Sequence, residues 1–205
     1  MEEWLACCGS AKFAQQMAAV APFSNPQEAI DAAKDIWFNK VDVNGWLEAF
    51  AAHPAIGESP SNTVKSPTTT AEFSFSLFCY TQITAVIAKW SNGEQSTALA
   101  TATDATIQEL YYWNSQYRQK FGFVFLICAS GRSTPEILTE IKKRYLNRPI
   151  IEFELAAKEQ MKITELRISK LFTANATSAS TTRTPRCGDN SQRFCARLAI
   201  SVSNL

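Results

Sequence analysis

Along most of its length this 205-residue chain repeats apolar side chains at intervals of three and four, the period of an α-helix. Ala29, Ile30, Ala33, Ile36 and Trp37 fall on one side of such a helix. Asn25-Pro26-Gln27-Glu28 supplies its start, with an N-cap, a proline at the first helical position and a glutamate that completes a capping box. Trp46, Leu47 and Phe50 mark a second helix that runs toward His53. Good helix formers, with Ala98, Ala102, Ala105 and Leu110 among them, predict one long helix after Ser91. Ser133-Thr134-Pro135-Glu136 caps a further helix whose Ile137, Leu138, Ile141 and Tyr145 face inward. A last helix is expected from near Pro149 to about Phe172. With only 7 Gly and 8 Pro to interrupt these periods, the pattern predicts an all-α, single-domain helical bundle.

Composition narrows what such a bundle can do. A 46% hydrophobic content supports a real core, while a net charge of +1 gives no field to attract nucleic acid or an anionic membrane. The start, Met1-Glu2-Glu3-Trp4, has no basic region before an apolar run, so it is not a secretory signal. Residues 73–88 are apolar and aromatic but fall short of the roughly 20 residues that cross a bilayer, so no membrane span is expected. From Thr173 onward the chain is rich in Ser, Thr and Arg without apolar periodicity, and 173–205 reads as a disordered tail. The 6 Cys form no Cys-x-x-Cys pair and the chain has 1 His, which argues against zinc and for reduced, structural thiols.

Four places carry groups suited to chemistry. His53 stands in His53-Pro54-Ala55-Ile56-Gly57, at a reversal forced by Pro and Gly just after a helix. Imidazole exchanges protons near neutral pH, though a histidine at a helix end also occurs without a task. Ser91-Asn92-Gly93-Glu94-Gln95 forms a polar cluster that reads either as a capping box or as a helix N-terminus presenting N–H groups to an anion. In the second reading Glu94 orients and charge-tunes His53. Phe121 to Gly131 is too apolar for an exposed loop and reads as core, and if it is extended rather than helical its backbone N–H and C=O groups remain available to read a heterocycle. Arg167 shares a helix face with Ala156, Gln160 and Ile163, and needs an acidic partner there, either a protein carboxylate or a carboxylate substrate.

Taken together, His53-Pro54, Ser91-x-x-Glu94-Gln95, Asn114-x-x-Tyr117-x-x-x-Phe121-Gly122-Phe123-x-Phe125 and Leu166-Arg167 resemble the OHCU decarboxylase family, across roughly residues 10–172. OHCU is 2-oxo-4-hydroxy-4-carboxy-5-ureidoimidazoline. Glu94-Gln95-Ser96-Thr97-Ala98 and Met161 to Arg167 are similar to plant members, in which this domain is usually fused to a transthyretin-like hydroxyisourate hydrolase. The resemblance implies a lyase of urate degradation that decarboxylates OHCU to (S)-allantoin without metal or organic cofactor, as a homodimer in the peroxisome or cytosol. It implies that His53 and Glu94 are catalytic. Pro54, Ser91, Asn92, Gly93, Glu94, Gln95, the 125–129 backbone and Arg167 would then bind substrate.

The chain departs from that pattern twice. The connection from His53 to Ser91 is longer than in the family, and the excess, about residues 66–88, coincides with the apolar run. Phe73 to Gln82 is what a pyrimidine-rich tract ending in CAG would encode, so the insertion reads as a retained intron or gene-model error. Residues 173–205 carry no strand alternation, so no hydrolase domain is expected there. The rival to an active enzyme is a non-catalytic interaction module or an inactive isoform with a disrupted site. A further alternative, an all-α structural domain that shares helices but no site, predicts His53, Glu94 and Arg167 far apart, whereas the enzyme requires them around one pocket.

Overall fold

A computed structural model of the chain describes residues 1–57, 87, 90–96, 98–100 and 102–180, with side chains as far as 174. The expectations for the rest of the 66–88 insertion and for 181–205 lie outside the described residues. Seven helices have defined bounds: α1 Glu2–Cys8, α2 Ala11–Val20, α3 Pro26–Asn39, α4 Val43–Ala51, α5 Asp104–Phe121, α6 Thr134–Tyr145 and α7 Pro149–Ser180. Residues 87, 90–96, 98 and 99 are helical as well, and no strand occurs among the described residues. The all-α reading holds, and no described helix is long and apolar enough to cross a membrane.

Local chemistry sets the helix ends. Asn25 caps α3 as expected, accepting from Glu28 N–H, while the Glu28 carboxylate accepts from Ser24 N–H rather than closing the box on Asn25 N–H. Ser133 and Glu136 form the capping box expected for α6. The long helix expected after Ser91 is broken. Thr103 adopts an extended conformation and exchanges capping hydrogen bonds with Thr106, so α5 starts anew at Asp104. Short hydroxyl side chains that reach their own backbone stop one helix and start another, and this outweighs the alanine propensity around them. The last helix continues to Ser180, past the expected end at Phe172, and a short helix forms at Glu2–Cys8.

The helices enclose two apolar clusters. The larger joins Cys7, Cys8, Phe13, Met17, Ile36, Trp37 and Phe50 to Ala156, Ala157, Met161 and Ile168 of α7. The second gathers Leu110 and Tyr117 of α5 with Ile137, Leu138 and Ile141 of α6. Between them runs 122–130, a segment that is neither helix nor strand. Val124 and Leu126 pack into the first cluster, while Phe125, Ile127 and Ala129 pack into the second. Successive side chains of extended backbone point to opposite sides, so a segment buried on both sides must be apolar at every position. That is why Phe123 to Ala129 reads as an unbroken apolar run.

Candidate active site

His53 lies at the seam between these clusters. Its N–H closes the last turn of α4 on Phe50 O at 3.2 Å, and Pro54 prevents the helix from continuing. The turn that follows is tied down by α5, where Asn114 Nδ2 donates to Ile56 O at 3.0 Å and Tyr111 OH donates to Gly57 O at 2.6 Å. Gly57 sits at φ +87°, a left-handed position that a glycine adopts without strain. Asn114 and Tyr117 thus act as scaffold, Tyr117 OH donating to the buried Glu152 carboxylate. Burial, followed by that hydrogen bond, raises the Tyr117 pKa, so the phenol keeps its proton as donor.

Ser91, Glu94 and Gln95 project from one face of a helical turn, as their i, i+3, i+4 spacing requires. Residues 87 and 90 are already helical, so Ser91 is not an N-cap and the capping-box reading is corrected. Its hydroxyl serves tertiary contacts instead: Ser91 Oγ lies 3.2 Å from His53 Nδ1 and accepts from Arg167 Nη2 at 3.0 Å. Gln95 Oε1 accepts from Gly57 N–H at 3.3 Å.

Glu94 faces Arg167 rather than orienting His53. Arg167 is wholly buried and binds Glu94 through two hydrogen bonds, Nε to Oε1 at 3.1 Å and Nη2 to Oε2 at 2.9 Å. Lys170 Nζ approaches Glu94 Oε1 at 3.4 Å, and Arg167 Nη1 donates to Cys7 O at 3.4 Å. Of the two partners open to Arg167 in the sequence, the protein carboxylate is the one present. The expected His53–Glu94 pair gives way to His53–Ser91, because a buried guanidinium needs the carboxylate more than a neutral imidazole does. Burial first, and then the Arg167 charge, lower the His53 pKa from 6.5 to about 3, against a smaller opposing effect of the Gln160 side chain. The imidazole is therefore neutral at physiological pH.

A cavity of about 20 Å³ is lined by His53, Pro54, Ser91, Glu94, Gln95 and the 125–129 segment, together with Ile56, Ser130, Ile163 and Leu166. This space has room for about one water. Asn92 and Gly93 lie outside the lining, with Gly93 exposed on the outer face of the turn. Arg167 also lies behind the wall, reaching the cavity through Ser91 and Glu94. In the 125–129 backbone, Cys128 N–H already donates to Glu159 Oε2 at 2.8 Å and Leu126 O accepts from Arg144 Nη1 at 2.7 Å. Burial raises the Cys128 pKa and pushes Cys7 and Cys8 up to about 12, so these thiols stay protonated and unreactive. No group of three His, Cys, Asp or Glu able to hold a metal occurs among the described residues.

Sequence reasoning missed Ile56, Ser130, Ile163 and Leu166 as lining residues. It placed Gln160 only on the Arg167 face, where its Nε2 donates to Cys8 O at 3.2 Å and to Thr164 Oγ1 at 3.3 Å. Apolar wall residues carry no signal that separates them from core. Gln160 did carry one, as a carboxamide on the helix face that also holds Ala156, Ile163 and Arg167.

Comparison with known proteins follows the same residues. Positions 1–169 match the family described as OHCU decarboxylase. The chain is 50% identical over 181 residues to the Arabidopsis thaliana uric acid degradation bifunctional protein TTL, covering 88% of this chain and 50% of that protein. It is 38% identical over 88 residues to the 2-oxo-4-hydroxy-4-carboxy-5-ureidoimidazoline decarboxylase of Amia calva, covering 42% of this chain and 50% of that one. A crystal structure of OHCU decarboxylase in the presence of (S)-allantoin superposes with a TM-score of 0.66 at 48% identity, covering 84% of this chain and 99% of that chain. The matched region spans about half the length of the relatives whose sequences it matches.

Proposed function

The chain belongs to the OHCU decarboxylase family, and on that premise we propose that it converts OHCU to (S)-allantoin and CO2, with His53 exchanging the proton. The observation that carries this reading is the meeting of His53 and Ser91 with the 125–129 backbone around one cavity, though they come from three distant parts of the chain.

The reaction breaks one C–C bond. CO2 departs, the bonding electron pair spreads into the ring as an enolate-like charge, and one proton ends on a ring carbon. Such a site must stabilise the developing charge and deliver the proton to a single face. His53 performs the proton exchange, with Ser91 Oγ beside its Nδ1 at the cavity wall. The free site holds His53 neutral, so its proton arrives with the substrate. An entering carboxylate raises the proton affinity of an adjacent imidazole, and a proton is taken up on binding. Gln95 and the free amides and carbonyls of 125–129 hold the ring and ureido group, while Pro54 backs the imidazole. Arg167 and Glu94 act from behind, fixing the Ser91 hydroxyl.

His53→Asn tests the assignment. Decarboxylation of freshly generated OHCU, followed with chiral detection of allantoin, should fall by about 10²–10⁴-fold with the circular dichroism spectrum unchanged. Full activity in that variant would remove His53 from the mechanism. The contracted cavity favours a second reading, a folded but non-catalytic interaction module, which predicts no turnover by the unmodified chain. We extend the proposal to a homodimer, checked by light scattering on the eluted protein, and to a peroxisomal or cytosolic location, checked by imaging a tagged chain. Hydroxyisourate hydrolysis is not part of the proposed activity, and an assay with hydroxyisourate checks this.

A further inference from the structure

The cavity has two walls, and α7 holds both. On one side Arg167 binds the Glu94 carboxylate and the Ser91 hydroxyl, which fixes the helical turn beside His53. On the other side Glu159 accepts the Cys128 N–H on Oε2 at 2.8 Å, within the 125–129 segment. The two side chains stand 8 residues apart on one helix, roughly 12 Å along its axis, and Ile163 midway between them lines the cavity. The Glu159 side chain is 12% exposed and its oxygens have separate tasks, since Oε1 meets Lys162 Nζ at 2.6 Å. That lysine is 55% exposed, and an ion pair so open to water holds little. The bond from a main-chain N–H to a carboxylate, by contrast, is charge-assisted and directional. Glu159 is absent from the cavity lining, whereas Ile127, Cys128 and Ala129 are part of it, so the carboxylate acts through the amide and not on a ligand.

We propose that Glu159 is a positioning residue of the active site: by holding the Cys128 amide to α7 it sets the 125–129 wall at a fixed distance from the His53–Ser91 wall that Arg167 holds on the same helix. The segment is neither helix nor strand, so no ladder of backbone bonds places it. Arg144 ties the Leu126 carbonyl to α6, and Glu159 supplies the tie to the helix that carries the opposite wall. A wall of this kind meets the ligand in the ground state and in the transition state alike, so its displacement shows in affinity and KM more than in kcat. The placing of the wall stands on the bonds themselves; its effect on turnover rests on the decarboxylase reading.

Of the 6 Cys only Cys128 follows an isoleucine, so ¹³C-carbonyl isoleucine combined with ¹⁵N-cysteine gives one amide signal, that of Cys128. In the unmodified chain this amide should exchange slowly with solvent. In Glu159→Ala it should exchange at least about tenfold faster. Calorimetric affinity for (S)-allantoin should fall about tenfold in that variant, with KM for OHCU raised in step and kcat within about threefold. Glu159→Gln keeps an oxygen acceptor of the same reach and should restore slow exchange and most of the affinity. Lys162→Met should behave as the unmodified chain. An amide that exchanges alike in the unmodified chain and in Glu159→Ala would overturn the proposal. So would a Glu159→Ala variant that loses thermal stability but keeps its affinity and KM, or a Lys162→Met variant as impaired as Glu159→Ala. If Glu159→Ala does not fold, Glu159→Asp, one methylene short of the amide, takes its place with the same expectations. The exchange measurement needs no ligand. An unmodified chain that neither binds (S)-allantoin nor turns over OHCU sinks the decarboxylase reading, and the amide signal then decides the placing of the wall alone.

Discussion

A buried imidazole beside a buried guanidinium has two reasons to stay neutral, and the consequence appears in stability as well as in chemistry. The unfolded chain takes a proton at His53 from about pH 6.5 downward, while the folded chain resists until about pH 3. Within that window the unfolded state binds the extra proton, so stability declines as pH falls. Few carboxylates titrate above pH 5, and with 1 His in the chain the range from 6.5 to 5 belongs largely to this residue. Thermal unfolding should show a loss of about 2 kcal/mol over that range, and His53→Asn should flatten the slope. A slope unchanged in the variant would show that His53 is not held neutral. The sequence pointed to this residue by its rarity and its place at a Pro–Gly reversal. It did not reveal the partner. Ser91 and Glu94 stand one helical turn apart on the same face, and only the position of Arg167 decides which of them meets the ring.

Helix starts were legible wherever the cap chemistry is local, as at Asn25 and Ser133, because the groups that decide lie within four residues of each other. The 122–130 segment was legible by composition and not by shape. A short apolar run does not distinguish helix from extended backbone, and here burial between two clusters decides. What holds the segment in place is α6. Arg144 donates to Leu126 O, stacks at 4.7 Å over the Phe125 ring, and binds the wholly buried Glu152 through Nε at 2.8 Å. Glu152 in turn accepts from Tyr117 and from Asn147 Nδ2. Removing the cation strands a carboxylate in the core. Arg144→Met should therefore lower stability by about 3–5 kcal/mol, and Arg144→Met combined with Glu152→Leu should recover much of that loss. The folded double variant should still bind ligand more weakly, because nothing then holds the Leu126 carbonyl away from the cavity. Chemical denaturation and calorimetric binding of (S)-allantoin measure the two effects separately. Unchanged binding would show that α6 supports the fold and not the site.

At the scale of the whole molecule, the site is held at both ends of the chain. The last carbonyls of α1, at Cys7 and Cys8, accept from Arg167 and Gln160 respectively, so the N-terminal helix sets the two α7 side chains that stand behind Ser91 and His53. Nothing in Met1 to Gly9 announced this, since a seven-residue helix has too few turns to show a period and its backbone acceptors have no sequence signature. The junction after α1 then approaches α4 closely. Gly9 adopts φ +84°, and a Cβ there would lie 2.8 Å from Ala52 Cβ, one residue before His53. Gly9→Ala forces either a strained left-handed alanine or a retreat of the α4 end. Strain of this kind costs roughly 1–3 kcal/mol. If the chain relieves the clash by moving α4, His53 shifts away from Ser91. The expected result is a lower melting temperature together with a fall in kcat larger than any change in KM, although Gly9 is absent from the cavity lining. A variant that loses stability but keeps its kcat would show that the strain is absorbed within α1 and that the N-terminal helix does not set the position of the imidazole.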